Sequence, residues 1–169
     1  MRVDQLGPLA SLLPIEVGRE AATIIMLAAI AAASGARWLP AFALVFGVWD
    51  LMFYAGLKML IGWPSSLFTW DLLFLIPVPW AAPVLAPSIV AASLVIGGIL
   101  GLTRPVRQDR LAAILLAIGA FVIILSFTWD WRSLTAGGLP HDFRWWMFGI
   151  GEVFGVIAVF LGLKVSRAD

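Results

Sequence analysis

Five apolar runs long enough to cross a bilayer divide the chain, at about 15–35, 40–62, 84–103, 111–129 and 145–164. Each predicts a membrane-spanning α-helix. The stretch from Trp70 to Pro87 is also apolar, but Pro77, Pro79, Pro83 and Pro87 prevent a regular helix from running through it. It predicts a short interfacial or re-entrant helix at 70–76 feeding an extended Pro-Val-Pro-Trp segment. The expected fold is all-α and integral to the membrane. It is a five-transmembrane-helix bundle with a Pro-rich interfacial or re-entrant segment at 70–87, making one domain over 1–169.

Composition agrees, since 62% hydrophobic residues, 12% charged residues and a mean hydropathy of +1.02 cannot be arranged as a soluble core with a polar skin. A net charge of +1 offers no basic face for phosphates and excludes a nucleic-acid partner. The absence of cysteine removes disulfides, thiolate metal sites and cysteine nucleophiles. The start does not read as a cleaved signal peptide, because Arg2 is its only positive charge and Pro8 and Pro14 interrupt it. The first span is expected to serve as the uncleaved insertion signal.

Lys and Arg collect on the cytoplasmic side of short loops. Arg37, then Arg104, Arg107 and Arg110, then Lys164 and Arg167 share one side, which places the amino terminus outside and the carboxyl terminus in the cytoplasm of a bacterial inner membrane. On that topology Asp4, Glu16, Glu20, Asp50, Asp71, Asp130, Asp142 and Glu152 lie in the outer half. Trp49, Trp63, Trp70, Trp80, Trp129, Trp131, Trp145 and Trp146 lie there too, leaving Trp38 at the inner interface. A tryptophan belt is expected at both interfaces, so the imbalance is what calls for a function.

Asp50 is the sharpest candidate, because an ionised carboxylate near the bilayer centre costs ~3 kcal/mol or more and needs a partner, a proton or a wet cavity. Asp50, Tyr54 and Lys58 follow at i, i+4 and i+8 and form one polar stripe. Glu16, Arg19 and Glu20 share a face at the outer start of the first span. At ~1.5 Å per residue, Glu20 lies roughly 8 Å deep, Glu152 roughly 10 Å and Asp50 roughly 16 Å, so all three could face one outer vestibule. The plainer alternative is that Arg19 and Lys58 neutralise these acids as fasteners between helices, at ~0.6 kcal/mol for each such contact.

Three tryptophans precede an aspartate: Trp49-Asp50, Trp70-Asp71 and Trp129-Asp130. The ligand-binding set expected on the outer side is therefore Arg19, Glu20, Trp49, Asp50, Tyr54, Lys58, Trp70, Asp71, Trp129, Asp130, His141 and Glu152. Asp50, Glu152 and Glu20 are the candidate acids for catalysis. His141 is the only histidine, which excludes bis-histidine haem ligation and multi-histidine metal centres, so neither metal nor cofactor is expected. Gly149, Gly151 and Gly155, with Gly97 and Gly101, read as close-packing positions, and Ala28 to Ala33 form a smooth face for another helix.

The stretch from Gly47-Val-Trp-Asp-Leu-Met-Phe-Tyr through Leu75-Ile-Pro-Val-Pro-Trp80 resembles a group of small multi-pass bacterial membrane proteins. The likeness covers the middle quarter of the chain and brings no activity with it. Three functions fit the residues. One is an outward-facing acidic, Trp-rich pocket that binds or transports a small amphiphilic, aromatic or cationic ligand. Another is a membrane-embedded acid/base enzyme acting on a lipid-soluble, isoprenoid-like substrate. The third is an accessory subunit docked through its Ala/Gly-rich faces to partner membrane subunits or a second copy.

Overall fold

The computed structural model describes residues 13–104 and 109–164. Expectations for Arg2, Asp4, Arg107 and Arg167 lie outside the described residues. Among the described residues are five long helices, α1 (Leu13–Ala33), α2 (Trp38–Ile61), α3 (Leu85–Thr103), α4 (Arg110–Thr128) and α6 (Trp145–Lys164), with a five-residue α5 (Trp131–Thr135) between the last two. Four stretches, Trp38–Ile61, Leu85–Thr103, Arg110–Thr135 and Trp145–Leu163, are long and apolar enough to cross a membrane. The fifth long helix, α1, carries Glu16, Arg19 and Glu20 within its first turns and is not among them.

The outer surface matches a lipid solvent. Phe121, Phe160 and Leu60 are 60%, 66% and 84% exposed, and water would penalise such a continuous apolar surface. The helix ends are set by local chemistry. Gly62 takes φ 71° and returns its N–H to the Lys58 carbonyl, closing α2. Asp109 accepts the Leu111 N–H at 2.9 Å, opening α4.

The helices associate chiefly as two pairs, α2 with α3 and α4 with α6. Glycine makes each approach possible. A Cβ at Gly98 would lie 2.7 Å from the Leu44 nitrogen and 2.8 Å from the Pro40 carbonyl oxygen, and one at Gly119 would lie 2.7 Å from the Gly151 carbonyl oxygen. The tight positions only partly coincide with the expected Gly-x-x-x-Gly faces, because Gly97 and Gly155 have room for a side chain where Gly98 and Gly151 have none.

Residues 70–76 do not form the expected helix. Trp70–Phe74 is a strand, β1, paired antiparallel with β2 (Trp80–Pro83), with Trp70 opposite Pro83 and Asp71 opposite Ala82. The prolines explain the difference. Each disfavours the α conformation in the residue before it, so no helix runs through Ile76, Val78 and Ala82; the chain instead turns at 75–79 and β1 pairs with the strand beyond. Prolines 77 and 79 also remove two N–H donors from the turn, where they would need acceptors.

The hairpin descends beside α2. Asp71 meets Tyr54 and Phe74 stacks on Phe46 at 6.5 Å. Those two α2 residues are about 12 Å apart along the axis, close to the ~10 Å spanned by the strand between Asp71 and Phe74. The 75–79 turn therefore lies near the middle of α2. Its second strand fills the space between the helix pairs, where Ala82, Ala86, Phe127 and Phe148 form the core with Trp80, Ile123 and Phe143 packed around them. Arg37 closes the opposite end, donating to the carbonyls of Leu102 and Arg104.

Candidate functional site

The polar stripe of α2 faces the hairpin, and β1 adds an acid to it. The Tyr54 hydroxyl donates to Asp71 Oδ2 at 2.8 Å, while the Leu72 N–H donates to Asp71 Oδ1 at 2.9 Å. Burial pushes the Asp71 carboxyl above the ordinary carboxylate range, against the lowering effect of these two bonds. Asp50 lies one turn below Tyr54 on the same face of α2. Among the described residues no hydrogen bond reaches the Asp50 carboxylate, although the residue is partly buried.

The other acids each have a partner of their own. Both oxygens of Glu20, which is 8% exposed, accept the Leu75 N–H at 3.1 and 3.0 Å, fixing the hairpin turn to α1. Glu152 accepts the Ser93 hydroxyl at 2.8 Å, joining α6 to α3. Arg19 pairs with Glu16 at 2.7 Å on the surface of α1. Lys58 donates to the carbonyls of Gly62 and Pro64 at 3.3 and 2.8 Å. The two bases thus fasten none of Glu20, Asp50 and Glu152.

The structure gathers Asp50, Tyr54 and Asp71, keeps Lys58 on the same stripe beside Tyr54, brings His141 to Asp130 elsewhere, and leaves the other expected residues dispersed. Trp49 is 45% exposed. Trp70 packs edge-on against Phe143 at 6.2 Å, and Trp129 lies under the Arg144 guanidinium at 5.5 Å. His141, in the loop after α5, reaches back to Asp130 at the start of α5, where one Asp130 oxygen accepts the His141 backbone N–H at 2.7 Å and the other lies 3.1 Å from Nδ1. That contact closes the loop onto the end of α4. The indole that does approach the site is Trp63, whose ring lies 6.2 Å from that of Tyr54.

Beside Tyr54 an open cleft of about 390 Å³ lies between the end of α2, the 64–67 segment and the start of α3. Lys58, Ser65, Ser66 and Ser88 supply its polar groups. The serines, Trp63 and Ser93 were not legible as site residues. Ser88 and Ser93 gave the one signal, as serine hydroxyls within the apolar span at 84–103. No family model, curated protein or solved structure matches this chain.

Proposed function

We propose that this chain is a multi-pass bacterial inner-membrane protein that binds or transports a small cationic or amphiphilic ligand at the seam between α2 and the hairpin. Asp50, with Asp71 and Tyr54 beside it, supplies the carboxylates, and the Trp63 ring adds an aromatic face. One observation carries this reading: Asp50 has no hydrogen-bond partner among the described residues, while each of the other buried or partly buried acids has one. A mid-span carboxylate without a protein partner is suited to an exchangeable one, a ligand cation or a proton. The proposed topology has five spans, with α1 inserted despite its charges, and a re-entrant hairpin. Its amino terminus is outside and its carboxyl terminus cytoplasmic, since Arg37, Arg104 and Arg110 share the end away from the hairpin.

The test is native purification of the wild-type chain and of Asp50→Asn, with mass spectrometry of whatever remains bound. A small molecule held by the wild type and lost from a normally stable Asp50→Asn supports the reading. Recovery of a turnover product would turn it toward the enzymatic alternative. Two features favour an accessory subunit as the second reading: Glu20 and Glu152 are each engaged as fasteners between elements, and Ala29, Ala32 and Ala33 are left exposed on α1. Co-purifying membrane chains with no small molecule would favour it.

A further inference from the structure

The cleft beside Tyr54 has a chemistry opposite to that of the acids behind it. Lys58 provides an ammonium with three donors, of which two are used on the neutral carbonyl oxygens of Gly62 and Pro64. No acid lies within ion-pair distance of it among the described residues. Its charge is oriented but uncompensated. The Ser66 hydroxyl oxygen accepts the Phe68 N–H at 3.2 Å, which leaves its proton to donate elsewhere, and Ser65 shares one bond with Thr69 at 3.1 Å. Tyr54 contributes its ring to the wall, because its hydroxyl is engaged by Asp71, which is not part of the lining. The first turn of α3 adds to the positive field, since it carries no acid and Val84 gives it no side-chain cap.

We propose that this cleft holds the phosphate of a membrane-lipid headgroup, with Lys58 as its charge partner and Ser65 and Ser66 as hydroxyl donors. The inference goes beyond the ligand site at Asp50 and does not depend on it. A lipid source is favoured over free phosphate by the surroundings. Lys58 lies one turn before the end of α2, about 5 Å from it, which is headgroup depth on the proposed topology. On the same face of α2 Ile61, three residues on from Lys58, is 70% exposed, and Leu67 in the cleft wall is 54% exposed. A phosphate seated on Lys58 would have its acyl chains against these side chains.

The experiment uses the full chain in a nonionic detergent, with native mass spectrometry and thermal unfolding after addition of phosphatidylglycerol, diacylglycerol or inorganic phosphate. Phosphatidylglycerol should form a discrete adduct and raise the unfolding temperature, while diacylglycerol should do neither. Lys58→Gln should weaken that adduct about tenfold or more, the loss of a charge-assisted hydrogen bond, and Lys58→Arg should retain it. Because Lys58 also holds two loop carbonyls, the Ser65→Ala/Ser66→Ala double variant provides a milder test, with binding expected to fall several-fold. Asp50→Asn should leave phosphatidylglycerol binding unchanged, so failure at one site is distinguishable from failure at the other. Equal binding of diacylglycerol, or undiminished phosphatidylglycerol binding in the folded Lys58 and serine variants, would overturn the proposal. Equal stabilisation by inorganic phosphate would overturn the lipid assignment and make the cleft a free-anion site.

Discussion

Glu20 holds the Leu75 amide with both carboxylate oxygens, at 3.1 and 3.0 Å, and so ties the turn of the hairpin to a helix 55 positions earlier in the chain. The contact explains how an irregular segment persists beside the middle of α2. The Leu75 amide is part-buried there, and leaving such a group without an acceptor is costly. Two of the five turn residues are prolines with no amide to satisfy, and Glu20 answers the Leu75 N–H.

Glu20→Ala should therefore strand that N–H and destabilise the fold by about 1–3 kcal/mol, whereas Glu20→Gln keeps an acceptor oxygen and should cost less. Unfolding in detergent gives the difference. Hydrogen exchange at Leu75 should accelerate in Glu20→Ala. Unchanged exchange there would detach Glu20 from the hairpin.

Packing of α2 on α3 gives a second prediction. At Gly98 an added Cβ meets the backbone of Leu44 and Pro40, atoms that cannot rotate away, so Gly98→Ala should cost about 1–3 kcal/mol through overpacking. Gly149→Ala, where nothing lies within 4 Å, should be close to neutral. Equal effects in thermal unfolding would contradict the tight α2–α3 contact.

The contrast between these glycines marks how far the sequence was legible. All five long helices begin and end within two residues of the apolar runs at 15–35, 40–62, 84–103, 111–129 and 145–164, because run length and hydropathy alone set a spanning helix. Span number was less legible, since Glu16, Arg19 and Glu20 make α1 too charged to qualify on composition. Residues 70–76 misled for a different reason. A short apolar run has no decisive period, and the strand depends on pairing with residues beyond two prolines.

The candidate site divides in the same way. The stripe of Asp50, Tyr54 and Lys58 follows from helical spacing and is present as expected. The Asp71–Tyr54 bond does not follow, because only the hairpin brings residue 71 back to α2. Likewise Glu152 and Ser93 belong to helices whose mutual rotation no single-span pattern encodes.

Asp71 makes stability depend on pH in a defined direction. Its carboxyl is raised in the folded chain, so the folded state binds its proton more tightly than the unfolded state does. That contribution is fully present below the ordinary carboxylate value of about 4 and is lost as pH rises through the raised value. Asp71→Asn removes the dependence. Its unfolding temperature should gain on that of the wild type as pH rises from about 4 toward neutrality. A gap that stays constant, or moves the other way, would show that the Tyr54 and Leu72 hydrogen bonds outweigh burial.

The central claim is that Asp50 opens to the outer side through the seam between α2 and the hairpin, and the chain's lack of cysteine makes it directly measurable. Single variants Asp50→Cys, Ser65→Cys and Arg104→Cys are treated in intact cells with a membrane-impermeant thiol reagent. The account predicts labelling at Ser65→Cys, slower but definite labelling at Asp50→Cys, and none at Arg104→Cys until the membrane is opened. Labelling of Arg104→Cys alone, or an Asp50→Cys that reacts from neither side, would contradict it.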